Sequence, residues 1–224
     1  MKFIRQALLF VVHIFIASTA IAQIQLPLDA SFKQAVWNNT RTMEGIPGSK
    51  YWQNKADYKL KIDFEPRTRL LEGTVEIVYK NNSPDTLHEV WFKLYPNLYK
   101  RGVLRKSKIA KRDLGNGVQI KRAEVDGDRL RSSDLIIDGT NMKIAIEDLM
   151  PGKEMTFNIG YQYILNEGSH LRTGKVDESS FFVAYFFPRI AVYDDIDGWN
   201  KYPYTGEEEF YNDFCDFMAE IKVA

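Results

Sequence analysis

From Tyr51 the pattern changes to stretches that alternate apolar and polar residues one by one, and a period of two confines such a stretch to a half-buried strand. Between Asp57 and Phe64, the residues Tyr58, Leu60, Ile62 and Phe64 share one face while Lys59, Lys61 and Asp63 share the other. Leu71, Val75, Ile77 and Tyr79 repeat the pattern, and Met155, Phe157, Ile159, Tyr161 and Tyr163 keep it without a break. Further strands are expected at Leu87 to Pro96, Val118 to Val125 and Met142 to Ile146. Turn signals fall between them: the run Asn81 to Asp85, then Asp126-Gly127, Asp138-Gly139 and Pro151-Gly152. Many short strands with no long helical period predict an all-β fold, a twisted antiparallel sandwich or saddle spanning residues 51–224. Residues 23–50 are mixed and turn-rich; they predict an irregular lead-in with at most one short helix, near Phe32 to Trp37.

The first 22 residues belong to neither part. Lys2 and Arg5 make a positive start, Ala7 to Ile16 an apolar stretch, and Ala20-Ile21-Ala22 a small-x-small cleavage pattern, so residues 1–22 predict a signal peptide with Gln23 opening the mature chain. The apolar stretch is too short for a membrane span, and no Cys follows the cleavage site, so neither a membrane anchor nor a lipoprotein is expected. The expected location is secreted or periplasmic. Without Lys2 and Arg5, 28 basic residues face 30 acidic ones, a net charge near −2 that predicts no general attraction to nucleic acid.

The one cysteine, Cys215, excludes an internal disulfide, and its alternation with Phe217 predicts a buried small hydrophobe. Seven basic residues crowd into the thirteen from Lys100 to Arg112, with no interleaved aromatics on which bases could stack, so a solvated inter-strand loop is expected there.

Motifs for chemistry are sparse. His88-Glu89 opens like the zinc-protease signature HExxH, but the position that needs the second His is Phe92, and a strand would send His88 and Glu89 to opposite faces. The mature chain holds two His, 88 and 170, and His170 sits in a polar, Gly-flanked loop that predicts a surface role. Asp194, Asp195 and Asp197 form an acidic turn that covers too little of a calcium loop and is expected to cap its own backbone. No Gly-rich phosphate loop and no Gly-x-Ser-x-Gly elbow occurs.

Taken in order, YWQNKADYKLKIDFEPRTRLLEGTVEIVYKNNSPDTLHEVWFKLYPNLY, LMPGKEMTFNIGYQY and FFPRIAVYDDIDGWNKYPYTGEEEFYNDFCDFMAEIKV resemble the amino-terminal β-domain of the zinc aminopeptidases typified by aminopeptidase N, in particular its secreted bacterial branch. Leu71 to Val75 resembles the family's first hairpin, Leu94 to Asn97 its third-strand exit, and Pro188-Arg189 through Asp195 the segment that crosses beneath the active site. The resemblance implies that Tyr185, Pro188, Arg189, Asp194 and Asp195 border a substrate cleft and that no residue of this chain is catalytic or binds metal. It implies zinc, and the HExxH helix that holds it, in a catalytic domain that would follow Ala224, so the chain is expected to be an incomplete domain whose partners are that catalytic domain and a peptide substrate. The family often holds the substrate's free amino group with a Gln or Glu just before the crossing segment; Phe181 to Phe187 offers only the Tyr185 hydroxyl. A second reading is a free-standing secreted β-sandwich that binds peptide, protein or sugar through Trp91, Trp199, Tyr202, Tyr204, Phe210 and Tyr211.

Overall fold

The computed structural model describes residues 27–224; the signal peptide expected at residues 1–22 lies outside them. The lead-in forms one helix, α1 (Ala30–Trp37), slightly longer than its sequence suggests, because the Asp29 carboxylate accepts from Ser31 N at 2.8 Å and so caps the first turn. Fourteen strands follow: β1 (Lys55–Glu65), β2 (Leu70–Lys80), β3 (Leu87–Lys93), β4 (Gln119–Val125), β5 (Asp128–Arg129), β6 (Leu135–Asp138), β7 (Asn141–Leu149), β8 (Glu154–Ile164), β9 (Thr173–Lys175), β10 (Phe181–Val183), β11 (Arg189–Ile190), β12 (Tyr193–Asp194), β13 (Gly198–Trp199) and β14 (Asp216–Val223).

The fold is all-β. Six strands pair in the order β14-β1-β2-β8-β4-β5 and four in the order β11-β3-β7-β6, while β9/β10 and β12/β13 are small separate hairpins. Apolar residues of the larger sheet's β1, β2 and β8 and of the smaller sheet's β3 and β7 share one core, with Phe92 and Phe157 meeting edge to face across it at 5.4 Å between ring centroids. The alternation read from the sequence is the alternation of burial: in β1 and β8 every second residue is buried.

Two details depart from the sequence reading. The third strand ends at Lys93 instead of running to Pro96, since Tyr95–Tyr99 turns into a 3-10 helix with Pro96 near its start, and proline cannot donate to a ladder. Within an otherwise antiparallel fold, β14 runs parallel to β1, with Tyr58 opposite Phe217, Ile62 opposite Ile221 and Phe64 opposite Val223. A parallel pair needs a long return rather than a hairpin, and the irregular stretch from residue 200 to 215 provides it.

Candidate functional site

The five residues picked from the sequence fall into two cavities with a buried proline between them. Tyr185 and Arg189 line a cavity of about 240 Å³ together with Tyr95, Arg172, Phe210 and Asn212. Asp194 and Asp195 line a more open hollow of about 750 Å³ with Trp37, Trp52, Asp85 and Tyr193. Pro188 is buried and lines neither.

The smaller cavity is built where two chain segments are bent out of ordinary backbone. Leu171, Arg172 and Tyr185 all have positive φ, at 49°, 59° and 42°, a region that costs a non-glycine residue about 1–2 kcal/mol each. Ala184 N donates to Arg172 O at 3.2 Å and the Tyr185 hydroxyl donates to Leu171 O, so the two bends hold each other. That hydroxyl, the one polar group this segment offers in the sequence, is therefore spent inside the fold. Tyr95, Tyr204 and Phe210 complete an aromatic wall, with Tyr95 edge-on to Phe210 at 4.7 Å and to Tyr204 at 5.3 Å. Burial pushes the Tyr95 phenol up to about 12 even with Arg189 pulling it down.

Arg189 connects this cavity to the edge of the larger sheet. Its guanidinium lies over the Phe217 ring at 5.3 Å and over Tyr58 at 6.0 Å, and its Nη2 donates to Asp213 O at 2.7 Å. Phe187, behind Tyr185, meets Phe217 at 5.9 Å. Cys215 is half-buried at the start of this edge instead of fully buried: its Sγ donates to Asp213 O at 3.3 Å, and burial pushes the thiol up, away from the thiolate.

The larger hollow is held by an ion pair that the sequence does not announce. Arg41, from the lead-in, grips Asp195 through Nε at 3.0 Å and Nη2 at 2.8 Å, and the Asp195 side chain is 1% exposed. Burial pulls the Asp195 carboxyl up, but hydrogen bonds from Arg41 and Thr40 outweigh it and hold it below the usual carboxylate range. Asp194 behaves as the acidic turn predicts: its Oδ1 accepts from Ile196 N at 3.0 Å and Asp197 N at 2.7 Å. Trp52 stacks on Tyr193 at 5.6 Å, and Tyr193 donates its hydroxyl to Asp85 at 2.8 Å.

The remaining candidates have structural partners. His88 Nδ1 lies 2.7 Å from an Asp148 carboxylate oxygen, while Glu89 accepts from Trp91 Nε1 at 2.7 Å and pairs with Lys143 and Lys201. His170 is half-buried, its ring set edge-on to Tyr99 at 6.2 Å, and not the free surface side chain expected. The basic loop is solvated as its composition predicts, with Arg101, Lys106, Lys108, Lys111 and Arg112 exposed; Lys106 pairs with Glu208 at 2.7 Å on the surface, and Arg105 Nε donates to Leu98 O at 3.0 Å. Among the described residues no group of three or more His, Cys, Asp or Glu is placed to hold a metal, so the residues present do not fit a zinc ion. Among them, too, no helix is long and apolar enough to cross a membrane. The six aromatics of the binding reading scatter: Trp199 and Tyr204 are buried, Trp91 lies under Lys143 and Lys201, Phe210 walls the small cavity, and Tyr202 and Tyr211 are exposed.

No family model matches the chain, and no curated protein matches it. Solved structures similar to it include an M1 zinc metallopeptidase of Deinococcus radiodurans bound to a Tyr-Ser-Ala substrate (TM-score 0.35, 14% identity, 55% of this chain and 23% of that one). A two-domain M1 zinc metallopeptidase mutant bound to L-arginine matches with a TM-score of 0.43 and 14% identity over 80% of this chain and 34% of that one. Legionella pneumophila aminopeptidase A matches with a TM-score of 0.33 and 10% identity over 54% and 12%. The chain thus spans about a third or less of the length of these structures, and no residue role follows from likeness at this level.

Proposed function

We propose that this chain is the non-catalytic amino-terminal β-domain of a secreted or periplasmic zinc aminopeptidase, which packs against an HExxH-bearing catalytic domain and borders its peptide cleft. The ordered resemblance from Tyr51 onward supports it, and one structural observation carries it. The face that β1 buries through Tyr58, Leu60, Ile62 and Phe64 continues onto β14 as Phe217, Ala219, Ile221 and Val223, and past Phe217, which Arg189 and Phe187 flank, it is bare: every residue of β14 is exposed, Ile221 at 60% and Val223 at 62%. A bare apolar strip at a sheet edge marks a surface that another layer covers. Arg189 and Phe187 join that strip to the Tyr185 cavity, so a domain packed on β14 would close a cleft over it.

In this reading the chain shapes and walls the site, and the zinc chemistry belongs to the partner domain. The test is reconstitution. The purified chain, supplied with zinc, should release no amino acid from peptide substrates, and it should form a stoichiometric complex with the HExxH domain encoded with it that does. Zinc-dependent release by the chain alone would overturn the reading, as would the absence of any such encoded domain.

A further inference from the structure

We infer that the cavity between Tyr185 and Arg172 binds a small carboxylate that carries an aromatic or apolar group, of the class of a free C-terminal amino-acid residue. The inference goes beyond the peptidase reading and concerns the chain by itself. Its first support is the donor inventory. Arg172 is exposed at the mouth, and among the described residues neither it nor Arg189 has a carboxylate within 4.0 Å, the reach of an ion pair. The acidic neighbour of Arg189, Asp213, takes its hydrogen bond from Gln53 Nε2 at 2.9 Å and gives Arg189 only its backbone carbonyl. Asn212, on the same wall, accepts the Tyr95 hydroxyl on its Oδ1 at 3.2 Å, which leaves its Nδ2 donor free among the described residues.

The phenol protons of this cavity are committed as well. The Tyr185 hydroxyl donates to Leu171 O and the Tyr95 hydroxyl to Asn212. The donors left over at this space are the Arg172 guanidinium and the Asn212 amide N–H, with Arg189 adding positive charge at the wall, and a guanidinium fork matches a carboxylate in geometry and charge. An amine would find no carboxylate there.

The second support is the wall. Tyr95, Tyr185, Phe187 and Phe210 give the cavity its apolar side, and Arg172 itself lies 5.7 Å from the Phe210 ring, a cation already seated on the aromatic surface. At about 240 Å³ the space falls below that of most drug-sized pockets and suits one residue rather than a polymer. The positive φ of both Arg172 and Tyr185 fixes a donor and a wall facing each other at a cost in backbone energy.

The experiment is calorimetric titration of the chain with N-acetylphenylalanine and with its uncharged amide. The acid should bind in the millimolar range or tighter and the amide at least about tenfold more weakly, as expected when a paired charge is removed. Arg172→Gln, at an exposed position, should leave the circular dichroism unchanged and weaken the acid by a similar factor. Equal binding of acid and amide, no binding of either, or undiminished binding by Arg172→Gln would overturn the inference.

Discussion

Phe217 stacks on Tyr58 with ring centroids 5.0 Å apart and planes 18° from parallel, so the outermost strand of the larger sheet rests on a residue of its core. Tyr58 is buried and accepts a hydrogen bond from Ile190 N at 3.1 Å, which ties β14, β1 and the crossing segment to a single phenol. Phe217 is itself about half exposed, at 47%. Phe217→Ala should therefore cost about 1–2 kcal/mol, from the lost stacking and partial burial. Phe92→Ala, at a site with no exposure, should cost about 3–5 kcal/mol. Urea unfolding of the two variants checks the ranking, and equal losses would show β14 to be core rather than edge.

Tyr58→Phe removes the acceptor and leaves the Ile190 N–H buried without a partner. A loss of about 1–3 kcal/mol is expected, with no change in the slope of the urea transition. A neutral result would mean that water reaches Ile190 N.

A methyl group at position 73 has nowhere to go. A Cβ there would stand 2.7 Å from the Tyr161 hydroxyl and 2.8 Å from Ile62 Cδ1, both fixed in the core. Gly73→Ala should destabilise by about 1–3 kcal/mol, although alanine suits a strand better than glycine does. A gain in thermal midpoint would contradict the close packing of β1, β2 and β8.

The Arg41–Asp195 pair sets an acid limit. The folded protein holds the Asp195 carboxyl below its ordinary value, so the stability it contributes is complete above the unfolded carboxylate range, near pH 4, and is lost as pH falls toward the folded value. Asp195→Asn should be less stable than the parent at pH 6, by about 2 kcal/mol or more, and the two should converge as pH drops to 3. A gap that stayed constant over that range would remove the pair from the account.

Lys93 gives a slope of the same sign at the alkaline end. It is 3% exposed, its Nζ donates to Asn141 Oδ1 at 2.9 Å and Tyr202 O at 2.6 Å, and with no carboxylate to offset burial its ammonium is held down to about 8. Between pH 8 and about 10 the unfolded chain keeps a proton that the folded one has released, so this residue makes stability rise with pH. Relative to the parent, Lys93→Met should be most stabilised below pH 8, with its advantage shrinking toward pH 10. A pH-independent difference would refute it.

The alternation in β1, β2 and β8 was legible because the two faces of a strand meet core and solvent in turn, and the turns between strands were legible because Asn, Asp, Gly and Pro carry their own backbone preferences. The self-capped turn at Asp194 was legible for the same local reason. The site was not. Arg41 and Asp195 lie 154 positions apart, and nothing in either neighbourhood announces the other. Arg172 faces Tyr185 only because both adopt left-handed backbone, which side-chain pattern does not encode. The parallel placement of β14 depends on where a long irregular return delivers the chain, again a property of the whole molecule.

The central claim, that the bare face of β14 and the adjoining crossing segment form the docking surface of a catalytic domain, is tested most directly by hydrogen–deuterium exchange. The amides of the chain would be followed alone and with the HExxH domain encoded beside it. The account predicts new protection concentrated in Asp216 to Val223 and Phe181 to Arg189, with the amides of β4 to β6 unchanged. Protection confined to β4 to β6, or none anywhere at saturating partner, would contradict it.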